Sequence, residues 1–395
     1  MKIRGSYGSL GNQVMDNLGN FPYLATYGTN SSYNYLINGS KPVIVKAPGL
    51  VASDFTWETV TQMDFGFDAS FLNNRLTGTF DWYRRNTKDM LVAGATLPAT
   101  LGASVPKSNS ADMKTIGWEL SLGWNDRLEN GFSYWVKGVL SDYQATITKY
   151  AGNDAGFYSQ SDGDGKYYVG QKIGEIWGYH SNGLFQSDDE AATIDQSELY
   201  AGKWGAGDVK YEDLDGDGKI TKGEETIYNP GDKSIIGNKT PRYQFGITVG
   251  FDYKNFDFEM FWQGTGKRDY MLSGAQFWGF TSQWDVPYTP ALDYWTETNT
   301  DAYFPRPGWQ NGGNRVTSDR YLQSAAYGRL KNLTVGYTIP KNLTTKWGIS
   351  RLRLYVTGEN LLTITPLNDA FDPETLGGMT YPINRKVAIG LNLTL

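Results

Sequence analysis

The sequence predicts an all-β protein whose strands form an antiparallel barrel across a membrane. Three observations predict it. Side chains alternate apolar and polar with period two over extended stretches, those stretches are long, and the connections between them are long and short by turns.

Residues 2–7 make a first strand. In 57–71, Trp57, Thr59, Thr61, Met63, Phe65, Phe67, Ala69 and Phe71 share one face, and Glu58, Gln62, Asp64, Gly66 and Asp68 the other. After the turn FLNNRL, Leu76, Gly78, Phe80 and Trp82 alternate with Thr77, Thr79, Asp81 and Tyr83. Residues 115–124 set Ile116, Trp118, Leu120, Leu122 and Trp124 against Thr115, Gly117, Glu119, Ser121 and Gly123. The turn NDRLENG then leads into Phe132, Tyr134, Val136, Gly138 and Leu140. Tyr243, Phe245, Ile247, Val249 and Phe251 precede the turn DYKN; Phe256, Phe258, Met260 and Trp262 follow it, opposite Asp257, Glu259 and Gln263. Leu333, Val335, Tyr337 and Ile339 come next, then the turn PKNLTTKWGIS and Leu352, Leu354 and Val356. Val387, Ile389, Leu391, Leu393 and Leu395 finish the chain, for about ten strands in all.

The connections at 8–55, 92–112, 150–240, 272–320 and 365–382 are long, and the four turns quoted are short. A membrane barrel has that asymmetry because its periplasmic turns are short and its extracellular loops long. A spanning strand needs about 9–11 residues, against a usual strand length near five or six. Aromatic residues gather near strand ends, where membrane interfaces would lie. The rival is a large secreted β-sandwich, whose half-buried sheets alternate in the same way.

Composition narrows the function classes. Across 395 residues the net charge is −6, which offers nothing to a polyanion and sets nucleic acid aside. Cys is 0, so there is neither a disulfide framework nor a thiolate metal site. A single histidine, His180, rules out a His-rich zinc site and argues against a Ser-His-Asp triad without excluding one. Aromatics make up 15%, with Gly 47, which suits strands and turns. No run of about 18 apolar residues is present, and a mean hydropathy of −0.48 does not exclude spanning strands, which show only alternate apolar residues.

The strongest chemical signal is DLDGDGKITKGE at 213–224. Calcium takes about six to eight oxygens, and a tight loop supplies them by turning alternate side chains inward. Asp213, Asp215 and Asp217 are the first ligands, Gly218 permits the bend, Lys219 gives its carbonyl, Thr221 acts directly or through water, and Glu224 closes the shell. Ile220 can anchor the loop to a core. An acidic Asp-Gly turn without metal has the same composition. The flanks GDVKYE and TIYNPGDKSIIG read as extended rather than helical, so a bound Ca2+ would be a structural clip in a long loop and not a sensor.

SDGDGK (161–166) has too few carboxylates in register and reads as a turn. In 277–310, Trp278, Trp284, Tyr288, Trp295 and Trp309 are ligand candidates, since aromatic faces stack on sugar rings, though packing the loop on itself is the favoured use of any single ring. Asp188, Asp189 and Glu190 read as solvated acidic loop, with nothing placing a glycosidase pair, and GTGK (264–267) lacks the spacing of a P-loop. No organic cofactor or catalytic residue is predicted.

Several segments together resemble the SusC/RagA-type TonB-dependent transporters of the Bacteroidetes outer membrane. They are KIRGSYGSLGNQ (2–13), VGQKIGEIWGYHSNGLFQS (169–187), GDVKYEDLDGDGKIT (207–221) and DKSIIGNKTPRYQFGITVGFDYKNFDFEMFWQGTG (232–266), followed by YWTETNTDAYFPRP (294–307), YGRLKNLTVGYTIPKNL (327–343) and LRLYVTGENLLTIT (352–365). The resemblance implies that residues 1–395 are the last ten or so strands of a 22-stranded barrel, without its plug domain. MKIRGSYGSL has no apolar signal stretch and Leu395 stands where an aromatic is usual, so a C-terminal fragment is expected, and one that conducts nothing by itself. The resemblance further implies uptake of an oligosaccharide or peptide, energised by the TonB-ExbB-ExbD complex, beneath a SusD-like surface lipoprotein. It carries Asp213, Asp215 and Asp217 over as loop ligands and leaves open whether Glu224 or Asp232 completes the shell. The alternative from another class is a secreted, calcium-stabilised carbohydrate-binding β-sandwich; a glycoside hydrolase ranks below both.

Overall fold

A computed structural model describes the chain apart from residues 13–22, 31–35, 54, 95–97, 99, 101, 159–165, 377–380 and 382. The SDGDGK stretch therefore lies almost wholly outside the described residues. Ten strands form one antiparallel sheet in which each pairs with its sequence neighbours. They are β1 (Lys2–Asn12), β2 (Glu58–Phe71), β3 (Leu76–Ala93), β4 (Lys107–Arg127), β5 (Ser133–Tyr150), β6 (Arg242–Tyr253), β7 (Phe256–Lys267), β8 (Tyr327–Thr338), β9 (Arg351–Ile364) and β10 (Lys386–Thr394). β1 and β10 are the sheet's two edges.

Register converts the local alternation into two global faces, because residues opposite each other in a ladder point to the same side. One row runs Ile3, Phe67, Phe80, Leu120, Leu140 and Phe245 across β1 to β6. Another runs Tyr134, Phe251, Phe258, Val335, Val356 and Ile389 across β5 to β10. This face is apolar and uncovered: Phe65 is 53% exposed and Ile389 84%. Such a surface has its free-energy minimum against hydrocarbon. The described residues contain one large sheet and only two-stranded ribbons besides, so no second sheet covers the apolar face and the sandwich alternative fails.

The opposite face is polar. A row there runs Arg4, Gly66, Asp81, Glu119, Ser141 and Gln244. Arg4 bridges Asp68 at 3.0 Å and Asp81 at 2.9 Å, and Arg353 grips Asp257. A Cβ at Gly66 would come within 2.1 Å of the Asp81 carboxylate, so a larger residue there would push that carboxylate away from Arg4. At the short-turn rim, Phe132 stacks on Phe251 at 5.4 Å, Phe251 on Phe258 at 5.1 Å, and Phe256 meets Tyr337 at 4.7 Å. These rings form the aromatic girdle expected at a membrane interface.

Several strands run longer than the sequence reading, while Trp57, Ile339 and Leu395 fall just outside theirs. β1 continues to Asn12 rather than ending at residue 7, and the 92–112 connection shrinks to 94–106. Irregularities hide the continuation: the register shifts between Thr87 and Met90, where Asp89 has φ 55, and again between Asp112 and Met113. Each shift breaks the period-two pattern while hydrogen bonding carries on past it.

Among the described residues the larger of two buried hydrophobic clusters lies outside the wall, and the smaller, Ala111, Ile147 and Tyr150, sits at the loop-side ends of β4 and β5. In the larger, Tyr179, Leu184, Val209, Tyr211 and Ile220 from the β5–β6 connection pack with Leu272, Phe277, Phe304, Tyr321 and Ala325 from the β7–β8 connection. Leu367, Phe371 and Leu376 from the β9–β10 connection join the same cluster. Three long loops thus share one interior.

Candidate metal centre and the loop cluster around it

The 213–224 loop is bent as its composition requires, with Gly216 at φ 78 and Gly218 at φ 84. Asp213 accepts N–H donors from Gly216 at 2.6 Å and Gly218 at 2.7 Å, Asp215 accepts from Asp217, and Asp217 from Lys219. The loop is pinned to its neighbours through Ile220, which is buried in the core and donates its N–H to the Asp195 carbonyl at 2.7 Å. That is the anchoring role its position predicts.

Three carboxylates converge: Asp213, Asp215 and Asp232 each offer an oxygen, all within 4.8 Å of one another. Asp232 is fully buried and held by the N–H groups of Leu214 at 2.8 Å and Thr221 at 2.7 Å. Of the two residues left open for the last acidic position, Asp232 is the one in this group. Glu224 is exposed, its N–H bonded to the Asn229 carbonyl, and it stands outside the group, as does Asp217. Lys219 and Thr221 lie on the segment between Asp217 and Asp232, with Thr221 accepting the Asp232 N–H through its carbonyl at 3.1 Å.

The electrostatics fit a cation. Asp213 is held below the ordinary carboxylate range, first by the Gly218 N–H. Asp215 moves upward: the Asp217 N–H pulls it down, but burial and the charges of Asp217, Asp232 and Asp213 outweigh that pull. Carboxylates that raise one another's proton affinity are relieved by a shared divalent ion. This donor set, hard oxygens only, suits Ca2+ better than a softer metal.

The five aromatic candidates divide. Trp278 packs edge-on against Tyr321 at 4.5 Å and Phe304 at 6.0 Å. The Trp295 ring lies against Gly207, where a Cβ would come within 2.5 Å of it. Trp284, Tyr288 and Trp309 are exposed on the loop surface, Trp284 at 82%. Two of the five are therefore packing residues, and three face solvent.

Two arrangements were not legible beforehand. Asp208 is fully buried, takes a two-pronged contact from Arg306 at 2.9 and 2.6 Å and a third bond from Asn314 at 2.8 Å. It joins the β5–β6 and β7–β8 connections from positions about a hundred residues apart in sequence. His180 also ties separated segments: Nδ1 meets Asp319 at 2.8 Å and Nε2 meets the Ser234 hydroxyl at 2.7 Å. The order serine, histidine, aspartate matches that of an acyl-transfer triad. Here the three residues stand on three loop segments that the bonds hold together. In sequence, DVKYED and YFPRP give no sign that they meet.

Comparison with known proteins follows the same lines. Residues 1–361 match the family model described as TonB dependent receptor-like, beta-barrel. TonB-dependent receptor P3 of Formosa agariphila is 30% identical over 99% of this chain and 39% of its own length. SusC of Bacteroides thetaiotaomicron is 26% identical over 100% of this chain and 37% of its own. Among solved structures, the RagAB peptide transporter superposes with a TM-score of 0.73 at 22% identity, over 99% of this chain and 40% of that one. The chain spans about two fifths of the length of the curated relatives it matches.

Proposed function

The chain belongs to the TonB-dependent receptor-like β-barrel family of the outer membrane, and from that premise we propose that it supplies lumen wall and extracellular loops to a nutrient importer. The observation that carries this is the two-faced sheet: a register-aligned apolar surface for lipid outside, and an ion-paired polar surface for an aqueous passage inside. The cargo is an oligosaccharide or a peptide, brought through by TonB-dependent opening with a SusD-like lipoprotein above the loops. A peptide cargo is supported by the structural likeness to a peptide transporter, and a glycan cargo by the exposed rings of Trp284, Tyr288 and Trp309. The role is passage and not catalysis.

The long loop binds Ca2+ through Asp213, Asp215 and Asp232, with carbonyls of the Lys219–Thr221 segment completing the shell. When bound, the ion neutralises the converging carboxylates and stiffens the loop against the shared core.

Fractionation and uptake test the reading together. The protein should be extracted from outer membranes only by detergent, and deletion of its gene should abolish uptake of one labelled peptide or oligosaccharide class. Recovery in a soluble fraction, or unchanged uptake of every class by the deletion strain, would overturn it.

A further inference from the structure

The lipid-facing side of the wall carries cations for which import gives no task. On β3 the outward row runs Leu76, Gly78, Phe80 and Trp82, then changes to Arg84, Asn86 and Lys88. Pairing sets Ile116 beside Arg84, Lys114 beside Asn86, and Thr59 beside Lys88. Gln144 and Thr146 of β5 extend the same two rows. Arg84, Lys88 and Lys114 therefore surround Asn86 on adjacent strands, at the height where the apolar belt ends on the long-loop side.

Arg84 and Lys88 are exposed and Lys114 half-buried. Among the described residues none of the three makes an ion pair; the one bond of Arg84 runs from Nε to the Asn86 side-chain oxygen at 3.3 Å. Two acids of the same face are engaged. Asp142, one row below, is clamped by Arg242. Asp112, two residues along from Lys114, accepts the Asp89 N–H at 2.9 Å. Three cations stand against these two engaged carboxylates.

This placement has a physical consequence. A cation within the belt would cost several kcal/mol, whereas at its rim the same charge meets the headgroup layer. A guanidinium fork matches tetrahedral phosphate oxygens, and lysines add point charge. The amides of Asn86 and Gln144 and the hydroxyls of Thr59, Thr61 and Thr146 can donate further bonds. Ile116 lies beside Arg84, and Trp82 and Trp118 lie in the row below, apolar surface for an acyl chain.

We infer that Arg84, Lys88 and Lys114 form a binding site for the phosphorylated headgroup of a lipid in the loop-side leaflet. The site rests on the membrane-barrel reading and adds a specific lipid contact to it.

The test uses protein purified from outer membranes and moved into phosphatidylcholine nanodiscs containing diphosphoryl lipid A or its dephosphorylated form. Retained lipid is counted by native mass spectrometry. The natural protein should retain the phosphorylated lipid about 30- to 150-fold better, on the scale of two or three interfacial cations. The combined variant R84Q/K88Q/K114Q should lose that preference, Lys88→Gln alone should lose part of it, and Lys137→Gln on the inner face should keep it. Millimolar inorganic phosphate should not displace the lipid. Equal retention of both lipids by the natural protein, an undiminished preference in the combined variant, or full displacement by inorganic phosphate would each overturn the site. Failure to enter nanodiscs at all would overturn the membrane reading along with it.

Discussion

The wall and the loop cluster use hydrophobic residues in opposite ways. In the wall, Phe65, Phe67, Ile389 and Leu391 point outward and are exposed, and the ordered interior side is ionic. In the loop cluster, Tyr211, Phe277 and Tyr321 are fully buried and charges such as Asp208 are fixed by partners within. The wall is held chiefly by its backbone ladder and by lipid, the cluster by packing and buried bonds. A composition-level view averages these two regions and sees neither.

If the contrast is right, the two regions should break under different substitutions. The largest effect is expected for Phe277→Ala, which empties the centre of the loop core and should cost about 3–5 kcal/mol there. Protease should then cut the β5–β6 and β7–β8 connections while the wall keeps its heat-modifiable mobility. Phe65→Ala on the wall should leave both properties unchanged. Arg306→Ala leaves the Asp208 carboxylate buried without its main partner and should loosen the same loops by about 3 kcal/mol. If the wall melted together with the loops in either variant, the two regions would not be separable.

The wall should instead be sensitive to charge. Phe65→Arg places a guanidinium in the belt and should cost about 2–4 kcal/mol, read as a drop in the denaturant midpoint in bilayers. An unchanged midpoint would mean that this face does not meet hydrocarbon.

A smaller effect is expected at the carboxylate group. Asp215 has a folded-state pKa above its ordinary value, so its charge weakens the metal-free loop at neutral pH, and the penalty fades as pH falls toward that pKa. Asp213 has the opposite sign: its contribution is complete above the ordinary value of about 3.9 and is lost below it. Chelation at pH 7 should therefore lower the melting point of the loop cluster, and Asp215→Asn should abolish the response to Ca2+ while making the metal-free loop more stable. A calcium response that survives Asp232→Ala and Asp215→Asn alike would remove the ion from this site.

Much of the wall was readable because its information is local. Alternation assigned Phe245, Ile247 and Val249 to one face before any partner strand was known, and the turns DYKN and FLNNRL gave the order. The pattern failed at the irregularities near Asp89 and Asp112, where one additional residue inverts the phase while the strand continues. The acidic loop was legible as far as one turn of chain extends. Asp213 and Asp215 lie within it; that Asp232 joins them, with Glu224 outside, depends on how the chain returns after ETIYNPG. The split among the aromatics was not legible at all, since Trp278 and Trp284 are the same residue type in the same loop and only the surrounding fold covers one of them.

By itself, then, the sequence determined the strand order, the two faces of the wall and the acidic turn, because each is fixed by residues within a few positions of one another. Tertiary structure alone decided the common interior of three loops, the Asp208–Arg306 and His180–Asp319 links, and the gathering of Arg84, Lys88 and Lys114 at the belt's rim. The physical reason is that backbone geometry sets alternation residue by residue, whereas burial and charge pairing are settled only when segments distant in the chain meet.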